Sequence, residues 1–135
     1  AKDETPTAAT SKRATKKTIV VDFDGVIHAY TSGWKGATVI SDAPVAGAIE
    51  WLGRAAERFQ LAVWSARSRE KGGIEAMREW LTAHGMPPEV LAQIAFPRGG
   101  KPAAHVYLDD RAVCFEGVFP TLETLDAFEP WHRRR

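Results

Sequence analysis

Thr18-Ile19-Val20-Val21-Asp22-Phe23-Asp24-Gly25 is the stretch that decides how this 135-residue chain is read. Its first half is β-branched and apolar at successive positions, the pattern of a strand buried on both faces. Two carboxylates then arrive where such a strand must stop. Two further pieces repeat the design: Leu61-Ala62-Val63-Trp64 runs into Ser65, and Val106-Tyr107-Leu108 runs into Asp109-Asp110. Lys101 follows the pair Gly99-Gly100. In open parallel α/β sheets, ligands bind in the crevice outside the carboxyl ends of the strands. Four carboxylates, a hydroxyl and an ammonium gathered there describe a site for a divalent cation plus a phosphate.

The segments between these strands fill in the fold. Val26–Tyr30 and Thr38–Ile40 flank a glycine-containing loop and predict a β-hairpin flap over 26–40. Pro44 is expected to open a helix, where its missing N–H costs nothing, with Val45, Ala48, Ile49, Leu52, Ala56 and Phe59 on one face. Gln60–Trp64 reads as the second strand. Ile74, Met77 and Leu81 form the next helical stripe, stopped by Gly85 before Pro87-Pro88. Pro88–Leu91 reads as a helical turn, Gln93–Phe96 and Ala104–Leu108 as strands, and Val113–Phe115 as a short fifth strand. Thr121 is placed to cap a closing helix that runs to Phe128. This alternation predicts a Rossmann-like, three-layer α/β/α domain around a central, mostly parallel sheet with right-handed crossovers.

Composition bounds the rest. Hydrophobic residues make up 44% of the chain, enough for one globular core, and no apolar run approaches a membrane span, so no membrane partner is expected. Residues 1–17 are basic, aperiodic and poor in large apolar side chains; they read as a disordered, solubilising tail without the apolar core of a secretory signal. The domain proper is expected over 18–130, with a second basic end at 131–135. Between these ends the body is acidic, which is not the footprint of a basic nucleic-acid-binding face. Cys114 is the sole cysteine. It excludes an internal disulfide, fits a reducing, cytoplasmic setting, and between Val113 and Phe115 reads as a buried, inert thiol. His28, His84, His105 and His132 show no paired ligand spacing, which argues against zinc.

The motifs, in this order, resemble those of the haloacid dehalogenase (HAD) superfamily of aspartate-nucleophile phosphohydrolases. Asp22-Phe23-Asp24-Gly25-Val26 is similar to the family's Asp-x-Asp-x-(Thr or Val) motif, and Ser65 to its strand-terminal Ser or Thr. Lys101 matches its basic residue and Asp109-Asp110 its acidic pair. The likeness runs over roughly residues 18–128. Neither interval between these motifs has room for the cap domain that many members insert, so the resemblance implies a minimal, capless member with the hairpin as its only lid.

The resemblance implies roles. Asp22 would be the nucleophile and Asp24 the acid that protonates the leaving oxygen and then deprotonates water. Ser65, helped by main-chain N–H groups of Ala66 and Arg67, would bind a phosphoryl oxygen. Lys101 would neutralise charge on that group, with Arg98 as its rival. Mg²⁺ is the expected cofactor, since crowded oxygen ligands and a phosphate substrate suit it. Asp22 and Asp109 are the leading ligands, with the main-chain carbonyl of Asp24 implied by the resemblance. Asp110 binds metal through water, orients Lys101, or pairs with Arg111. Arg67, Arg69, His28, Tyr30, Trp34 and Lys35 are candidate substrate contacts, and Trp34 reads equally well as a packing residue. The expected activity is a phosphomonoesterase whose open site suits a phosphorylated small molecule, a nucleotide or a nucleic-acid end. The alternative is a catalytically idle interaction module with the same fold, and the sequence sets no oligomeric state.

Overall fold

The computed structural model describes residues 16–134. The tail expected over residues 1–17 lies almost wholly outside them. The first strand, β1 (Thr18–Val21), is followed by helix α1 (Ala48–Arg58), β2 (Gln60–Val63), a 3-10 turn (Ala66–Arg69) and α2 (Gly73–Ala83). Then come α3 (Pro88–Leu91), β3 (Ile94–Ala95), β4 (Val106–Leu108), α4 (Leu122–Asp126) and a last 3-10 turn (Trp131–Arg133). All four strands are parallel, in the order β3-β2-β1-β4. The chain thus steps outward from β1 to β2 to β3 and returns to lay β4 on the far side of β1. The ends of β1 and β4 flank the point where strand order reverses, which is where such sheets bind ligands.

Register then levels the two acidic motifs. Val21 pairs with Leu108, so one step further along each strand come Asp22 and Asp109. The Asp22 N–H donates to the Leu108 carbonyl at 2.9 Å, carrying the ladder to the mouth of the crevice. On its other flank Val21 pairs with Val63, which brings the β2 end and Ser65 to the same edge.

The core is built from Val21, Phe23 and Ile27, the β2 residues Leu61 and Val63, and the inner faces of α1 and α2. Leu52, Ala55 and Ala56 are buried on α1; Ile74, Met77, Trp80 and Leu81 are buried on α2. Truncating a fully buried member such as Leu52 to Ala would cost about 2–5 kcal/mol.

Several boundaries differ from the sequence expectation. No hairpin forms over 26–40, where the described residues show turns and isolated bridges only. The carbonyls that a partner strand would need are taken by a side chain: Arg67 Nη1 donates to Gly36, Ala37 and Val39 at 2.9, 2.9 and 3.2 Å. Pro44 does not open α1. It bridges to His28, the Val45 N–H bonds the Ile27 carbonyl at 2.8 Å, and Gly47 at φ 81 marks the break before Ala48. The third and fourth strands are shorter than expected, and Val113–Phe115 forms no strand. Cys114 is exposed rather than buried, because its neighbours Val113 and Phe115 are themselves half exposed. The closing helix is also short, but Thr121 caps it as expected, its Oγ1 accepting from the Thr124 N–H at 3.1 Å. No helix among the described residues is long and apolar enough to cross a membrane.

Candidate functional site

Because β1 and β4 are in register, three carboxylates meet at their ends. Oxygens of Asp22, Asp109 and Asp110 all lie within 4.8 Å of one another. Burial pushes the Asp22 carboxyl up to about 8, and its hydrogen bond with Asp110 and the negative charges of Asp109 and Asp110 push the same way. For Asp110 burial also pushes upward, but hydrogen bonds with Asp22 and His132 outweigh it and the group sits below its ordinary value. The pair therefore shares one proton, held by Asp22 and donated toward Asp110. Asp109 Oδ1 accepts from the Arg111 N–H at 2.8 Å, which tightens the turn after β4.

The donor set is all oxygen, carries up to three negative charges and holds a proton through burial, the Asp22–Asp110 hydrogen bond and mutual repulsion. Such a set fits a hard divalent cation, which can replace the shared proton.

Asp24 enters different company. Both its oxygens accept from Arg67 Nε, at 3.1 and 2.9 Å, and Oδ1 also accepts from His28 Nδ1 at 2.9 Å. The Asp42 N–H donates to His28 Nε2 at 3.1 Å, so the ring carries its proton on Nδ1. Arg67 is fully buried, between Phe23 and Trp34, whose ring centroids lie 5.9 and 4.8 Å from its Cζ. Its Nη1 holds the loop carbonyls and its Nη2 has no partner. Arg67 and His28 are both buried; together they fix Asp24, and Arg67 also holds the loop carbonyls.

Ser65 is buried at the start of the 3-10 turn, where its Oγ accepts from the Arg67 N–H at 3.1 Å and its own N–H donates to Ser68 Oγ. This reciprocal cap spends the Arg67 N–H that the sequence reading offered to phosphate. Lys101 is exposed, with Nζ 4.4 Å from the Tyr107 ring centroid, on the strand that delivers Asp109. Arg98, its rival, pairs with Glu75 at 2.6 Å. Among the described residues, Lys101, Arg98 and Lys35 make no hydrogen bond or ion pair with the triad. Trp34 is half exposed and covers the Arg67 guanidinium.

One neighbour of the triad was missed by the sequence reading. His132 falls in the segment taken for a basic end, yet its Nε2 lies 2.7 Å from Asp110 Oδ2 and both side chains are buried. Beside it, Trp131 Nε1 donates to the Gly25 carbonyl at 2.7 Å. Trp131 and His132 thus lie against the triad's end of the sheet. The signal was weak: a Trp-His pair among arginines has no periodicity.

Comparison of the chain with protein-family models, with curated proteins and with solved structures finds no match to any of the three.

Proposed function

We propose that this chain is a Mg²⁺-dependent phosphomonoesterase of HAD type, a capless three-layer α/β/α domain working through an aspartyl-phosphate on Asp22. One observation carries the reading: Asp22, Asp109 and Asp110 converge at the reversal point of a parallel sheet, with Asp22 pushed up to about 8. A structural role would be served better by neutral or paired groups, whereas a cation and a phosphate make the crowding useful.

Asp22, Asp109 and Asp110 would hold Mg²⁺, which when bound offsets their charge and polarises the phosphoryl group. An Asp22 carboxylate oxygen attacks phosphorus while the bond to the leaving oxygen breaks, and Asp24 delivers a proton to that oxygen. A water then gives a proton to Asp24 and attacks the aspartyl-phosphate. Inorganic phosphate departs and the Asp22 carboxylate returns. Arg67 and His28 hold Asp24 in one direction through both proton transfers. Ser65 O–H and Ala66 N–H supply donors for the phosphoryl oxygens. Lys101 supplies the positive charge, because Arg98 is engaged with Glu75. The open strand-end site suits nucleotides or phosphorylated nucleic-acid ends as well as small esters.

The test is a panel of phosphorylated metabolites, nucleotides and 3′- or 5′-phosphorylated oligonucleotides, assayed for phosphate release with Mg²⁺ and with a chelator. Release is expected from at least one class with Mg²⁺, lost with chelator and lost in Asp22→Asn. No release from any class would leave the idle interaction module as the standing reading.

A further inference from the structure

We infer that His132 is a positioning residue that holds Asp110 in the orientation needed to bind the cation. The inference rests on the proposed role of the Asp22–Asp109–Asp110 triad and assigns to it a residue from the far end of the chain.

His132 Nε2 meets Asp110 Oδ2 at 2.7 Å, with the two side chains 2% and 3% exposed. The segment is pinned a second time through Trp131 Nε1 on the Gly25 carbonyl, across 106 residues of sequence. Gly25 makes this approach possible. It sits at φ 85, and a Cβ there would run into the Asp110 carboxylate and His132 Nε2. The Tyr30 ring packs edge-on against His132, its centroid 6.0 Å away. Backbone, loop and terminal segment therefore converge on one oxygen of one carboxylate.

The remaining atom of the ring argues for use rather than packing. His132 Nδ1 is buried and has no hydrogen-bond partner. An apolar ring would fill this space without an orphaned nitrogen, and replacing buried polar pairs by apolar ones is often neutral or stabilising. What an apolar ring cannot do is hold Asp110. With Oδ2 engaged by His132, Asp110 is held with its carboxylate within 4.8 Å of those of Asp22 and Asp109. Hydrogen-bond partners of ligating carboxylates act in this way, and their loss weakens metal affinity about 10–100-fold.

The experiment compares wild type, His132→Phe and His132→Gln in the full chain. Phe keeps a ring in the pocket and deletes the N–H; Gln restores a side-chain N–H donor. Mg²⁺ affinity is read by calorimetry, folding by thermal melting, and phosphate release over a series of Mg²⁺ concentrations. His132→Phe should lower the Tm, because Asp110 loses its buried partner, yet still melt cooperatively, and it should bind Mg²⁺ about 10–100-fold more weakly, with a turnover deficit that shrinks as Mg²⁺ is raised. His132→Gln should regain most of the affinity. Equal Mg²⁺ affinity in wild type and His132→Phe overturns the inference, as does a turnover deficit that Mg²⁺ does not relieve. If wild type itself binds no Mg²⁺, the triad's proposed role fails, and this inference fails with it.

Discussion

Asp22 and Asp24 leave the same strand end two residues apart and enter opposite electrostatic surroundings. Asp22 meets two more carboxylates and is pushed up to about 8; Asp24 meets a buried guanidinium and an imidazole N–H. Alternation of side chains along an extended chain does not explain this, since residues two apart point the same way. The difference comes from what the rest of the fold delivers. β4 brings acids to Asp22, whereas the turn after β2 brings Arg67 to Asp24. One cluster is internally neutralised and holds the loop in place. The other is left anionic, and the proposed Mg²⁺ would offset its charge. Stability should therefore reside on the Asp24 side and metal dependence on the Asp22 side, and each can be broken separately.

The largest effect expected is on catalysis. Asp22→Asn should lower phosphate release by roughly 10³-fold or more, because an amide oxygen is a poor nucleophile, while the protein still melts cooperatively. Near-normal turnover would mean Asp22 is only a ligand. Next comes Arg67→Met, which leaves the half-buried Asp24 with His28 alone and frees three loop carbonyls. Removing one partner of such a pair costs about 3–5 kcal/mol, readable by urea denaturation. A loss under 1 kcal/mol would show that the two clusters do not differ as described.

The pH dependence of stability sharpens the contrast. The folded Asp22 carboxyl is raised to about 8, so between its ordinary value near 3.8 and that value the folded chain holds a proton that the unfolded chain has released. Its contribution is fully present below 3.8 and is lost as pH rises toward 8. Asp110 is lowered, so its contribution has the opposite sign and is lost only in acid, below the ordinary carboxylate range. In metal-free buffer the Tm should therefore fall from pH 5 to pH 8. Asp22→Asn should flatten that fall, and Mg²⁺ at pH 8 should reverse it. The smallest effect concerns Trp34. Its half-exposed ring lies 4.8 Å from Arg67 Cζ, so Trp34→Ala should cost about 0.5–1 kcal/mol in denaturant titration.

The same contrast separates what was legible in the sequence from what was not. Thr18–Val21 and Leu61–Val63 announce themselves as buried strands, and the α1 and α2 stripes follow helical spacing. Once those strands are parallel, register alone places Asp22 beside Asp109, so the anionic cluster could be read from strand ends. The neutralised cluster could not, and neither could the histidine beside the anionic one. Arg67 reaches Asp24 across 43 residues and His132 reaches Asp110 across 22, and no periodic pattern reports such pairings. The expected hairpin failed for the same reason. Its β-prone residues had the right propensity, but Arg67 took the carbonyls that a ladder would have used.

The central claim, a covalent phosphoryl group on Asp22, is open to direct measurement. The full chain is mixed with Mg²⁺ and an activated aryl phosphate, quenched during turnover, treated with borohydride and digested for mass spectrometry. Hydride reduction of an acyl phosphate converts the aspartate that carried it to homoserine. The account predicts homoserine at position 22, dependent on both Mg²⁺ and substrate, and none at position 24. Phosphate release with no modification at Asp22, or with modification at another carboxylate, would contradict it.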